Sequence, residues 1–193
     1  HMMRNTKPDM VHYLYNSPPP FVGRPYAMTI HDLSFLYVPE MLRTRDRLSL
    51  IAQLRATAPR ARAIFTVSEN SKRDIVRFLR VPEDRVTVTP LGVDPRFHPV
   101  QNPEELERVR LRYKLPEQYL LYVGTFLPHK NLERLIHAFS MAKTRTGFAH
   151  QLLLVGKPGR NTAQVQEAVV AQGASNDVLF VGYVPDVDLP ALY

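Results

Sequence analysis

Tyr119-Leu120-Leu121-Tyr122-Val123-Gly124-Thr125-Phe126-Leu127-Pro128-His129-Lys130-Asn131 is an apolar run that stops at a glycine, crosses a short loop and ends beside a basic pair. Leu132, Leu135, Ile136 and Phe139 then repeat at helical spacing, so the segment predicts strand, turn and helix in that order. The first amides of a helix lack intrahelical partners and carry partial positive charge, which attracts anions. A lysine there adds a full charge. Together these features predict a phosphate site at the carboxyl edge of a parallel sheet.

The pattern recurs. Leu121-Tyr122-Val123-Gly124, Leu153-Leu154-Val155-Gly156 and Leu179-Phe180-Val181-Gly182 are apolar runs that each end in Val-Gly. Between them, the segments Asn131 to Thr144 and Asn161 to Gln172 are long enough for crossover helices. Continuous apolar runs, unlike alternating ones, belong to strands covered on both faces, as in parallel sheets. The economical reading is β-α-β-α-β with right-handed crossovers, with all three glycines at the ligand-binding edge. The helices differ in sequence, so this is architecture and not a repeat.

The preceding half reads as a second set of α/β units. Asp9 to Leu14 and Tyr26 to Ile30 are strand candidates separated by the Pro18-Pro19-Pro20 loop. Leu48, Ile51, Leu54 and Ala58 mark a helix, and Ala63 to Val67 a strand. Ser68 or Ser71 caps the next helix. Ser71 with Asp74 matches a capping box, and Ile75, Phe78 and Leu79 form the buried stripe. Val86 to Thr89 is a last short strand. Pro90, Pro95, Pro99 and Pro103 then stiffen a connection between two lobes, which puts the domain boundary near Pro99: one domain over 4–99, another over 100–193. Asn102-Pro103-Glu104-Glu105 starts the following helix, with Asn102 as its cap.

Composition narrows the chemistry. The 193 residues suffice for one domain or two small ones, and an apolar fraction of 45% is ordinary for a globular chain. The absence of cysteine excludes disulfides and thiolate metal sites. No apolar run approaches the roughly 20 residues that span a bilayer, and the start does not read as a signal peptide. His1-Met2 reads as a cloning scar. The formal charge of +7 comes largely from arginines between Arg43 and Arg80. Such a surface fits a solvated basic face, nucleic acid, anionic lipid or a phosphorylated substrate. There is no Gly-x-Gly-x-x-Gly and no Walker lysine-serine pair, and Gly156-Lys157-Pro158-Gly159 reads as a turn. His129, His137 and His150 lack metal-ligand spacing with a carboxylate. Ser68 has no glycine elbow, so it reads as a cap and not a nucleophile.

Taken in order, five segments carry a resemblance. They are Thr29-Ile30-His31-Asp32, Thr66-Val67-Ser68-Glu69-Asn70-Ser71, Pro90-Leu91-Gly92-Val93-Asp94-Pro95, Val123-Gly124-Thr125 with Lys130-Asn131-Leu132, and Phe180-Val181-Gly182-Tyr183-Val184-Pro185 with Leu189 to Tyr193. The series resembles the group-1, or GT4, retaining glycosyltransferases of the GT-B fold. The resemblance implies parts of two Rossmann-like parallel-sheet domains. Both are expected to be incomplete: the opening strands of the acceptor domain would precede Arg4, and a paired-glutamate motif for the donor would follow Tyr193.

The same resemblance implies the site. Lys130 matches the lysine that neutralises the donor diphosphate, and His129 stands where many relatives carry arginine. Histidine is largely neutral at pH 7, so this second phosphate contact is open. His31 matches a histidine that reaches the donor sugar across the cleft, by hydrogen bonding to a hydroxyl. Gly124-Thr125, Gly156 and Gly182 would bring backbone close to the donor, although Gly156 is equally read as turn geometry. Tyr183 and Val184 fall where relatives hold the nucleobase against backbone. The implied partners are a nucleotide-sugar donor and a hydroxyl acceptor, either a saccharide or a lipid-linked saccharide. No cofactor, obligatory metal or specific nucleic acid is implied. A cytoplasmic location follows, with peripheral membrane association open.

Two function classes stay in play. One is a retaining transferase of which this chain alone is inactive. The other is a non-enzymatic scaffold whose open sheet edges pair with another copy, by self-association or domain swapping. A basic nucleic-acid-binding module is a third, weaker reading.

Overall fold

The computed structural model describes residues 8–15 and 23–193. The Pro18-Pro19-Pro20 loop lies outside them. Two compact units divide between Gly92 and Val93, several residues ahead of the Pro99 expected from the proline spacing.

The first unit is a four-stranded parallel sheet in the order β1 (Val11–Tyr13), β2 (Tyr26–Thr29), β3 (Ala63–Thr66) and β4 (Val86–Val88). The strands are shorter than the apolar runs suggested. α1 (Thr44–Thr57) links β2 to β3, and α2 (Glu69–Leu79) links β3 to β4. Met28, Ile30, Leu54, Ile64, Ile75 and Val86 are sealed from solvent between sheet and helices. Each such side chain contributes on the order of 2 kcal/mol.

Two expectations need correction here. Leu48 is 58% exposed, because α1 begins at Thr44 and turns its buried stripe toward Leu54 and Ala58. The α2 cap is Ser68, whose Oγ accepts from the Ser71 amide at 3.1 Å. Ser71 is already helical and buried, so no Ser71–Asp74 capping box forms. Asp74 instead accepts from the Tyr37 hydroxyl at 2.7 Å.

The second unit opens with α3 (Pro103–Tyr113), capped as its Asn-Pro-Glu-Glu start predicted: Asn102 Oδ1 accepts from the Glu104 amide at 3.0 Å. Its sheet is parallel, in the order β5 (Tyr119–Val123), β6 (Gln151–Val155) and β7 (Val178–Gly182). α4 (Leu132–Thr146) and α5 (Thr162–Ala171) are the crossovers.

The central strand explains the continuous apolar runs. Successive strand residues point to opposite faces. Leu152 and Leu154 pack with Ile136, Phe139, Val165 and Val169 from α4 and α5. Leu153 and Val155 pack with Val109, Val184 and Leu192, using α3 and the short α6 (Leu189–Leu192). Both faces are buried, so alternation is absent. On the α3 side, Asp188 is fully buried and accepts from Arg108 at 2.8 Å, Arg112 at 2.9 Å and the Tyr113 hydroxyl at 2.7 Å.

Candidate functional site at the carboxyl edge of the second sheet

Each strand of the second unit ends in a loop at one edge, and the three loops are tied to one another. The Gly124 amide donates to Val155 O at 2.9 Å, and the Gly156 amide donates to Gly182 O at 2.8 Å. The Phe126 amide reaches Lys157 O at 3.4 Å, and the Asn161 amide donates to Phe126 O at 3.2 Å. Gly124, Gly156 and Gly182 therefore form a backbone row across the strand ends.

The glycines serve different needs. Gly156 has φ +147°, and a Cβ there would lie 2.0 Å from Gly124 O. Its smallness is accounted for by this strand-to-strand approach. Gly182 has φ +81° with nothing within 4 Å of an added Cβ, so only its conformation asks for glycine. Gly124 has neither constraint: an added Cβ would meet the Tyr122 hydroxyl at 2.7 Å, the movable end of a side chain.

The basic pair sits differently from the sequence expectation. Pro128, His129 and Lys130 form a 3₁₀ turn, and Asn131 then adopts the left-handed conformation (φ 56°, ψ 41°) before α4 begins at Leu132. Asparagine tolerates that region better than most residues. Lys130 thus precedes the helix and does not occupy its first turn. It is exposed and has no side-chain partner among the described residues, while His129 is half-buried. Thr125 is exposed, and its carbonyl accepts from the Tyr122 hydroxyl at 3.2 Å. Burial raises the Tyr122 phenol above its ordinary value, so it stays a hydrogen-bond donor.

One pairing escaped the sequence reading. Lys157, assigned there to a plain turn, lies with its Nζ 4.8 Å from the centre of the Tyr183 ring. Both side chains are exposed, and the contact joins the β6 loop to the β7 loop. Nothing local announces such a long-range cation–π contact. Val184, by contrast, points inward and is 2% exposed, so only its backbone is available to a ligand. The edge therefore offers one isolated ammonium, a second held on an aromatic face, and backbone at three glycines. That set suits an anion attached to a planar group.

In the first unit, His31 follows β2 at the carboxyl edge of its own sheet. It is exposed, and its ring has no hydrogen-bond partner among the described residues. Its carbonyl accepts from Thr66 Oγ1 at 3.4 Å. The neighbouring Asp32 is occupied with Ser34, accepting from its amide at 2.8 Å and its hydroxyl at 2.5 Å. Among the described residues, no group of three His, Asp or Glu side chains is arranged to hold a metal ion.

The sequence profile of Glycosyltransferase Family 4 matches residues 1–97, and that of Glycosyl transferases group 1 matches residues 103–193. The chain belongs to this glycosyltransferase family. The O-antigen chain mannosyltransferase B of Escherichia coli is 31% identical over 192 residues, covering 96% of this chain and 49% of that protein. A 2-deoxystreptamine glucosyltransferase of Streptomyces kanamyceticus is 29% identical over 178 residues, covering 89% and 45%. Among solved structures, WaaG, a glycosyltransferase involved in lipopolysaccharide biosynthesis, has a TM-score of 0.69 at 17% identity, covering 94% of this chain and 50% of that one. Anabaena Alr3699/HepE in complex with UDP-glucose has a TM-score of 0.67 at 18% identity, covering 88% and 44%. These likenesses establish the GT-B type of fold. The chain spans about half the length of the relatives it matches.

Proposed function

We propose that the second unit carries the nucleotide-sugar site of a retaining glycosyltransferase. The observation that carries the reading is Lys130: an exposed ammonium, without a side-chain partner among the described residues, on the 3₁₀ turn in the loop that leaves β5 through Gly124, the first of the three tied glycines. Breaking the glycosidic bond leaves a nucleoside diphosphate that gains negative charge, and fixed positive charge near it stabilises the transition state more than the ground state. Lys130 supplies that charge, with His129 and the Gly124-Thr125 backbone as further diphosphate contacts. The Gly182–Val184 backbone receives the base. His31, exposed at the carboxyl edge of the first sheet with its ring free among the described residues, is available to hydrogen-bond a sugar hydroxyl. Retention follows if the acceptor hydroxyl attacks the face the diphosphate leaves, with a donor phosphate oxygen taking its proton.

This chain alone binds the nucleotide weakly and does not turn over. Calorimetric titration with uridine and guanosine diphosphates tests the site. A charge-assisted hydrogen bond contributes about 1.5–3 kcal/mol, so Lys130→Ala should weaken binding roughly ten- to a hundredfold. Equal affinity in the variant would remove Lys130 from the site. Measurable sugar transfer by the 193-residue chain would refute its inactivity.

One observation favours the scaffold reading. Among the described residues, β5 and β7 are each paired on one side only, and they carry Leu120 at 45% exposure and Phe180 at 39%. Open edges with apolar side chains invite pairing with another copy. A monodisperse monomer by light scattering would dismiss it.

A further inference from the structure

Lys157, on the loop after β6, holds its Nζ 4.8 Å from the centre of the Tyr183 ring, on the loop after β7. Tyr183 is 57% exposed. Among the described residues, the Lys157 ammonium and the Tyr183 hydroxyl have no hydrogen-bond or carboxylate partner.

The contact is not needed to tether the two loops. The Gly156 amide already donates to Gly182 O at 2.8 Å, one residue before each partner. A cation over an exposed ring is worth only about a two- to fivefold preference, and both side chains give up freedom to form it. Lysine and tyrosine therefore meet at a place where backbone has fixed the loops.

Strand order decides what else Lys157 can reach. β6 lies between β5 and β7, so its loop is flanked by the loop that carries Lys130 and the loop that carries Tyr183. The Phe126 amide approaches Lys157 O at 3.4 Å, which sets the Lys157 backbone against the β5 loop, while its side chain extends to the β7 loop. Gly182 turns the chain at φ +81° and Val184 is buried. The Tyr183 ring is thus the one side-chain surface that Gly182–Val184 offers to solvent.

An exposed ring is a platform for a nucleobase, because every base has a π-face and stacking is worth about fivefold or more in affinity. Here one face is taken by an ammonium. Phosphate is the stronger partner for that ammonium: a charge-assisted hydrogen bond is worth about ten- to a hundredfold, against about two- to fivefold for the ring. A ligand that carries both groups relieves the ring of its lysine. A ligand that carries the base alone does not.

We propose that Lys157 and Tyr183 form an exchange pair for a nucleoside diphosphate: the diphosphate draws the ammonium off the ring, and the base stacks on the face it leaves. The inference rests on the nucleotide site of the second unit and adds a specificity-determining residue to it. Lys157 supplies the second phosphate charge that a largely neutral His129 leaves open. The pair makes the edge favour phosphorylated nucleosides over free ones.

The test titrates the whole chain with uridine and guanosine and with their diphosphates, followed by amide chemical shifts. Lys157→Gln should weaken diphosphate binding about five- to twentyfold, the phosphate bond lost less the ring contact released. The same variant should bind the free nucleoside about two- to fivefold more tightly, since no ammonium competes for the ring. Tyr183→Leu should weaken both ligands, and adding Lys157→Gln to it should bring the nucleoside no gain. Lys157→Arg should keep most of the diphosphate affinity. Opposite signs for the two ligands separate exchange from a structural role, because a disturbed loop would weaken both. Inorganic pyrophosphate alone should shift the Tyr183 ring resonances in the parent chain and not in Lys157→Gln.

An unmoved ring, or diphosphate affinity unchanged in Lys157→Gln while Lys130→Ala still loses it, would overturn the exchange pair and leave the nucleotide site standing. No shifts in the unaltered chain with either diphosphate would overturn the site, and the pair with it.

Discussion

Replacing Gly156 by alanine tests the geometry of the three-loop edge. The added Cβ would sit 2.0 Å from Gly124 O and 2.7 Å from its carbonyl carbon. Both atoms are backbone, held by the Gly124 amide bond to Val155 O at 2.9 Å, while Gly156 itself is held to Gly182 O at 2.8 Å. Relief requires the two chains to part by more than an ångström, which releases these hydrogen bonds at about 1 kcal/mol each. The φ of +147° adds about 1–3 kcal/mol for a residue with a side chain. The total is about 4 kcal/mol. For a unit the size of Val93–Tyr193, that lowers the midpoint by at least about 15 °C. Gly124→Ala meets only the Tyr122 hydroxyl, which can swing away with the loss of its bond to Thr125 O, at about 1 kcal/mol. Gly182→Ala meets nothing and bears only its φ of +81°, at about 1–2 kcal/mol. Thermal and urea unfolding followed by circular dichroism would rank the three. Gly156→Ala falling within about 1 kcal/mol of Gly124→Ala would refute the account of how the loops are packed.

Other outcomes follow from the same contacts. Asp188→Asn should cost the second unit about 2 kcal/mol, the low end for loss of charge-assisted bonds, because the arginine heads are about half exposed and rehydrate; urea unfolding reads it, and an unchanged midpoint would contradict it. The Tyr113 hydrogen bond, helped by Arg108, holds the Asp188 carboxyl below its ordinary 3.8 against the opposing effect of burial. A depressed carboxyl stabilises above its unfolded value and loses that contribution as pH falls through its folded value. The midpoint should therefore drop below about pH 4 in the parent chain and change less there in Asp188→Asn. Ser68→Ala should cost the first unit about 1 kcal/mol as a lost cap, and a larger effect from Ser71→Ala would reassign the cap.

Legibility in the sequence tracked how local the determining physics was. The Leu153-Leu154-Val155 run was readable because β6 is buried on both faces, and Asn102-Pro103 because a cap and a first-turn proline act within one turn. Ser68 and Ser71 could not be separated by residue type, since both are good caps; the choice depends on where β3 ends. The start of α4 was misplaced because the left-handed Asn131 leaves no mark distinct from an ordinary asparagine. Leu48 fitted a helical period yet fell on the outer face. Lys157 over Tyr183, and Asp188 gathering Arg108, Arg112 and Tyr113, join residues far apart in sequence. No window along the chain contains both partners.

The central claim is that the carboxyl edge of the second sheet is a nucleotide site, and amide chemical-shift mapping with added uridine or guanosine diphosphate tests it most directly. The account predicts shifts at Gly124, Thr125 and Lys130 and at Gly182, Tyr183 and Val184, with α1 and α2 of the first unit unmoved. Shifts confined to the first unit, or none at saturating nucleotide, would contradict it.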